Sequence, residues 1–155
     1  MMPRKYLLSL AAAAVAVGAV VIGTPVLTTA PAAAGTVVEV WKSPSCGCCG
    51  AWIDHMKEAG FTLRVHDMDD VWPLKMARGV PETMGSCHTA EVGGYLLEGH
   101  VPAADVRRML SEKPAIKGLA VPGMPQSAPG MDIPGEPYEV LTFGGSAGTT
   151  VYARY

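Results

Sequence analysis

Three cysteines fall within four residues, Cys46, Cys48 and Cys49 in Ser45-Cys-Gly-Cys-Cys-Gly50, and the chain has one more, Cys87. No other stretch restricts the possible folds so tightly. Four cysteines allow three disulfide connectivities. If one clustered sulfur pairs with Cys87, the other two need a strained local bridge or stay free. Two structural disulfides therefore fit poorly. The cluster follows a β-rich run and precedes a helical one, and Cys46 and Cys49 alone make a C-x-x-C motif. A helix starting there aims free backbone N–H groups and the positive end of its dipole at the sulfurs. Both favour thiolate, the form that attacks disulfides and binds soft metals.

The chain around the cluster reads as a mixed α/β domain. Thr36-Val-Val-Glu-Val-Trp41 is β-branched and alternating, the pattern of a first strand. Ser43-Pro44-Ser45 breaks it, and Ser45 is placed to cap a helix over 47–59 whose core face carries Trp52, Ile53 and Met56. Gly60 ends that helix, and Phe61 to His66 alternates as a second strand with Phe61, Leu63 and Val65 on one face. A strand, helix and strand of these lengths predict a parallel βαβ unit. Asp69 or Asp70 caps a short second helix to about Arg78. Ser86 to Val92 and Tyr95 to Glu98 read as strands joined at Gly93-Gly94, and Pro102 opens a helix to about Glu112. Met56, Met76 and Met109 fall at core spacing.

The predicted order is β-α-β-α-β-β-α, that of a thioredoxin-like core with C-x-x-C at the start of the first helix. From Lys113 to about Pro137 the chain is rich in Pro, Gly and Met without a period, but too apolar for a disordered linker. It predicts an ordered loop laid over the domain. Tyr138–Phe143 and Thr149–Arg154 predict a C-terminal β-hairpin.

The first 34 residues read as a signal peptide rather than as part of the domain, which spans 35–155. Arg4 and Lys5 form a basic start, Leu7 to Gly23 is apolar without a charge, and Ala32-Ala33-Ala34 offers a cleavage site. The apolar run is shorter than the ~20 residues of a membrane span. The expectation is export to the periplasm with no membrane attachment after cleavage. Without Arg4 and Lys5, Lys+Arg falls from 12 to 10 against 14 acidic residues, a balance that points away from nucleic acid.

Thiolates select Cu(I) or Zn²⁺, and bridging thiolates can hold more than one Cu(I). Zinc fits less well, because structural zinc sites pair two knuckles and this chain has one cluster and a remote Cys87. Cys48 is surplus to a dithiol redox site and useful in a metal site. Among the histidines, His100 in Glu98-Gly-His-Val-Pro102 lies where a strand gives way to a helix and is the best candidate ligand. His88 adjoins Cys87, and neighbouring strand residues point to opposite faces, so the two are not expected to face one metal. His55 reads as solvated or supporting and His66 as ordinary. Met124 and Met131 each follow Pro-Gly in the irregular loop, where core filling explains them poorly, and a thioether is a soft Cu(I) ligand.

Four blocks carry a resemblance across nearly all of residues 35–155: Ser43-Pro44-x-Cys46-Gly-Cys48-Cys49-x-x-Trp52, Ser86-Cys87-His88-Thr89-Ala90, Glu98-Gly99-His100-Val101-Pro102-Ala103, and Gly118-Leu-Ala-Val-Pro-Gly-Met124-Pro. The chain resembles the small exported metal-binding family typified by the copper-resistance protein CopG. The resemblance implies a thioredoxin-like fold, copper held by clustered cysteines, and a role in periplasmic copper handling. It implies Cys46, Cys48, Cys49 and Cys87 as thiolate ligands, with His100 and the Met124 loop as further candidates. Ser127-Ala128-Pro129 departs from a Gly-Ser-Pro turn usual in that family, so the reach of Met131 is for the structure to decide.

The expected function is capture of one or more Cu(I) ions in copper tolerance, with copper redox activity as an extension. Other periplasmic copper-handling proteins are the expected partners. A thiol-disulfide oxidoreductase and a copper chaperone serving a membrane partner are the alternatives.

Overall fold

The protein is described by a computed structural model covering residues 36–155. The expected signal segment, 1–34, lies outside the described residues. The elements run β1 (Val37–Lys42), α1 (Gly47–Glu58), β2 (Thr62–Asp67), α2 (Trp72–Arg78), a 3-10 turn (Glu82–Met84), β3 (Thr89–Val92), β4 (Tyr95–Glu98), α3 (Ala103–Glu112), β5 (Gly118–Ala120), β6 (Glu139–Gly145) and β7 (Gly148–Arg154). The seven strands form one mixed sheet in the order β2-β1-β3-β4-β5-β6-β7. As the βαβ pattern predicts, β1 and β2 are parallel, with Val38 opposite Leu63 and Val40 opposite Val65. β3 runs antiparallel to β1 and to β4, while β5 lies parallel to β4 across α3. No helix among the described residues is long and apolar enough to cross a membrane.

One core cluster gathers Val38 and Val40 of β1, Trp52, Ile53 and Met56 of α1, Val106 and Met109 of α3, and Leu119 of β5. Each such side chain contributes roughly 1.5–3 kcal/mol by leaving water, which is how short helices of low intrinsic stability are held. α1 is further tied to the chain that enters α3. Trp52 Nε1 donates to the Val101 carbonyl at 2.9 Å, and the Ala103 amide donates to His55 Nε2 at 3.1 Å. His55 thus caps the start of α3 across the tertiary structure, the role that Ser or Asp usually fills from within the sequence.

Several expectations change. Ser45 does not cap α1: Cys46 occupies the N-cap position without a side-chain cap bond, and Ser45 bonds Ser43 instead. Met76 is 57% exposed rather than in the core. Lys75 takes the inward face of α2, because it has a buried carboxylate to meet there, and that turns Met76 outward. Val65 is 42% exposed, since β2 is an edge strand that no later helix covers completely. The proline-rich stretch holds β5, three residues that join β4 and β6. A Cβ on Gly118 would stand 2.1 Å from the Leu96 carbonyl oxygen, so glycine permits this close approach to β4. The C-terminal hairpin forms as expected, and through β5 it extends the sheet.

Candidate metal centre

β1 delivers the chain to the Ser43-Pro44-Ser45 turn, which the Cys46 amide closes by donating to the Ser43 carbonyl at 3.0 Å. α1 begins there, with Cys46 at its cap and Cys48 and Cys49 in its first turn. Cys46 makes no side-chain cap bond, so the positive end of the α1 dipole meets the cysteines uncapped. Cys46 and Cys49 are joined as a disulfide, and Cys48 and Cys87 are free thiols. Cys48 Sγ lies 3.6 Å from Cys46 Sγ. The sulfurs of Cys46, Cys48, Cys49 and Cys87 all lie within 4.8 Å of one another. The sequence left open which sulfurs would pair, and the helical turn settles it by bringing residues three apart together.

Cys87 reaches this group because β3 is central in the sheet, beside β1, and the segment before β3 therefore arrives next to the tip of α1. Burial pushes the Cys87 thiol up to about 11, with the neighbouring Cys48 adding to the shift. His100 follows β4, and its Nε2 stands 3.0 Å from Cys87 Sγ. Its Nδ1 lies 2.7 Å from the Pro129 carbonyl oxygen. A carbonyl only accepts, so Nδ1 carries the proton and Nε2 turns its lone pair toward the sulfur, the tautomer of a metal-binding imidazole. Burial lowers the His100 pKa, partly offset by the Pro129 carbonyl. That direction favours the uncharged ring, the form that donates a lone pair.

His88 was not expected here, and the structure corrects that. Cys87 and His88 precede β3, which starts at Thr89, so strand alternation does not separate them. His88 is fully buried between Trp52 and His100, with ring centroids 4.3 and 5.2 Å away. Its Nδ1 lies 3.7 Å from Cys87 Sγ, and its Nε2 is buried without a hydrogen-bond partner. Donor atoms of Cys49, Cys87, His88 and His100 also lie within 4.8 Å of one another, a second quartet sharing two sulfurs with the first. Burial, and then the positive charges that His100, Lys75 and Lys42 can carry, hold the His88 pKa well below its ordinary value. The signals in the sequence were adjacency to Cys87 and a place in the Ser86-Cys87-His88-Thr89-Ala90 block.

The loop after β5 closes over this corner. Gly130 rides on the first turns of α1: a Cβ there would stand 2.6 Å from the Trp52 nitrogen and 3.1 Å from the Cys48 carbonyl oxygen. Ala128 is fully buried, so the Ser127-Ala128-Pro129 departure is accommodated by packing. Met131 follows Gly130 in a turn, its amide bonded to the Ala128 carbonyl at 2.9 Å. Met124 is 52% exposed and shares an open cleft of about 440 Å³ with Cys87, Trp72 and Glu82. A larger hollow of about 640 Å³ lies between the loop and Tyr155, and no cysteine or histidine lines it. Of the candidate donors, Cys87 and Met124 line the smaller cleft. His66 is peripheral, stacked on Trp41 and paired with Glu39.

Residues 84–131, which hold Cys87, His88, His100 and Met124, match the family described as "Protein of unknown function, DUF411". No curated protein matches the chain. Two solved structures named copper resistance protein CopG, forms 2 and 1, are 40% identical to it, with TM-scores of 0.72 and 0.71. Each similarity covers 77% of this chain, and 98% and 96% of the CopG chains. With identity of that order over nearly the whole of the solved chains, and the cysteine corner inside the shared fold, the protein belongs to the CopG family.

Proposed function

We propose that this protein captures copper in an exported compartment and contributes to copper resistance, as the name of its solved relatives indicates for them. One observation carries the reading: four cysteine sulfurs lie within 4.8 Å of one another at the uncapped tip of α1. Thiolates at such spacing suit Cu(I), which accepts few soft ligands and is readily bridged by sulfur. Cys46, Cys48, Cys49 and Cys87 are the proposed thiolate ligands, His100 supplies a nitrogen, and Met124 and Met131 supply thioethers from the loop. The two overlapping quartets favour more than one copper ion, with His88 as an added donor. Residues 1–34 are proposed to direct export to the periplasm and to be removed.

The β2-β1-β3-β4 order, with β1 and β2 parallel and β3 antiparallel, supports a thioredoxin-like core as the scaffold. The Cys46–Cys49 disulfide then couples metal loading to sulfur redox state. Reduced Cys46 and Cys49 can give one electron to each of two Cu(II) ions. The sulfurs close to the disulfide, two protons leave, and two Cu(I) ions form.

The test is anaerobic titration of the reduced protein with Cu(I) and with Zn²⁺, counting bound metal and free thiols together. The expected result is more than one Cu(I) per chain, held against a modest competing chelator. A reduced protein that leaves Cu(I) with the chelator refutes the proposal. The disulfide at a helix start also favours a second reading, thiol-disulfide exchange on protein substrates. Insulin reduction lost in Cys46→Ser but intact in Cys48→Ser would select it.

A further inference from the structure

We infer that Glu98 is a positioning residue for the donor cluster, a buried carboxylate that holds Cys87, His88 and His100 in place at once with Lys75 as its counter-ion. Glu98 ends β4 and is fully buried. Its Oε1 accepts the Ser86 amide at 2.8 Å and the Lys75 ammonium, and its Oε2 accepts the Thr89 hydroxyl at 2.7 Å. Lys75, only 3% exposed, also donates to Thr89 Oγ1 at 3.0 Å. Ser86 and Thr89 flank Cys87-His88, so one side chain fastens the segment on both sides of two donors. Cys87 and His88 themselves lie between the Ser86 bridge to Gly123 and the start of β3 at Thr89, outside the strand ladder. Two residues after Glu98 comes His100, and between them the Gly99 amide donates to the His88 carbonyl at 3.0 Å. Cys87 and His88 therefore sit between the two groups this carboxylate holds, and His100 follows it on a backbone tied to His88.

Stability gives little reason for such a pair. Taking a carboxylate and an ammonium out of water costs about as much as their attraction returns, and apolar residues of similar volume often serve as well. Apolar contacts, however, have no direction. A carboxylate with every contact satisfied fixes the angles of the backbone it holds, the kind of support that orients ligands in metal sites.

The inference rests on the proposed copper site, and the experiment separates the two. Glu98→Leu with Lys75→Met removes the acceptor and its counter-ion together. Glu98→Gln with Lys75→Met keeps a carbonyl for the Ser86 amide. In the reduced protein, Cu(I) affinity by chelator competition should fall about 10–100-fold in the Leu/Met variant and by less than about threefold in the Gln/Met variant. Thermal midpoints should stay close to that of the parent. A Leu/Met variant that folds and binds Cu(I) like the parent overturns the inference. If that variant does not fold, Thr89→Val against Thr89→Ser decides. Weaker binding in Val rescued by Ser supports the role, and equal binding overturns it.

A parent protein that fails to bind Cu(I) refutes the proposed function and leaves a metal-free readout. Cys87 alkylation, located by mass spectrometry, should be several-fold faster in the Leu/Met variant than in the parent, or in Thr89→Val than in Thr89→Ser. Equal rates overturn the inference.

Discussion

Gly130→Ala should detach the loop from the metal corner without unfolding the domain. Gly130 has a φ of +86°, where an L-residue costs about 1–2 kcal/mol. The new Cβ would also stand 2.6 Å from the Trp52 nitrogen, against ordinary contacts that begin at 3.4 Å. The atoms it meets are backbone of α1, which Trp52, Ile53 and Met56 hold in the core, so the loop must yield. A shift of roughly 0.8 Å would stretch the bond from His100 Nδ1 to the Pro129 carbonyl, now 2.7 Å, beyond hydrogen-bond range, at a cost of about 1 kcal/mol. The local cost is about 2–3 kcal/mol, smaller than the ~5–15 kcal/mol stability of an ordinary domain.

The expected outcome is a folded protein with faster amide exchange through the loop. Cu(I) affinity should be lower by about 10–100-fold, because His100 loses the partner that sets its tautomer. Gly123→Ala is the control: its φ is +68° but its Cβ would meet nothing within 4 Å, so only the torsional cost applies. If Gly130→Ala leaves both exchange and affinity like those of the control, the loop does not support His100 and the reasoning fails.

Cys48→Ser should lower the number of Cu(I) ions bound to the reduced protein, counted by metal analysis, while the Cys46–Cys49 disulfide still forms on oxidation and leaves Cys87 as the one free thiol. Because the Cys87 thiol is pushed up to about 11, copper must expel its proton, and apparent Cu(I) affinity should rise with pH by about tenfold per unit for that proton. In the metal-free protein the sign is opposite. The unfolded thiol ionises first, near its ordinary value of 9, so the stability associated with Cys87 is present below that pH and is lost as pH rises toward 11. Thermal melts of the parent against Cys87→Ser across that window should show it. Lys75→Met alone should destabilise the fold by about 3–5 kcal/mol in denaturant melts, because it leaves the Glu98 carboxylate buried without its cation.

Legibility followed the range of the forces involved. The α1 core face of Trp52, Ile53 and Met56 showed in the spacing, because a helix repeats its faces every few residues. β5 did not, because three residues are too few for a period and the strand exists only through its neighbours. Met76 was misplaced for a related reason. A seven-residue helix has an orientation that hydrophobic spacing barely constrains, and the Lys75–Glu98 pair outweighed it. His88 was set aside by an alternation rule that holds only inside a strand, and β3 begins one residue later.

The residues alone determined the order of the elements up to α3, the C-terminal hairpin and the presence of three sulfurs at the start of a helix, because turns, caps and apolar repeats act between near neighbours in the chain. Only the folded sheet brought Cys87 and His100, candidates from the sequence, against those sulfurs and added His88, with the Glu98 carboxylate bonded on both sides of Cys87-His88. These meetings depend on β3 and β4 lying beside β1, and on a buried carboxylate finding its partners across α2 and the two strands. Such distances come from the packing of whole elements, which no local spacing encodes.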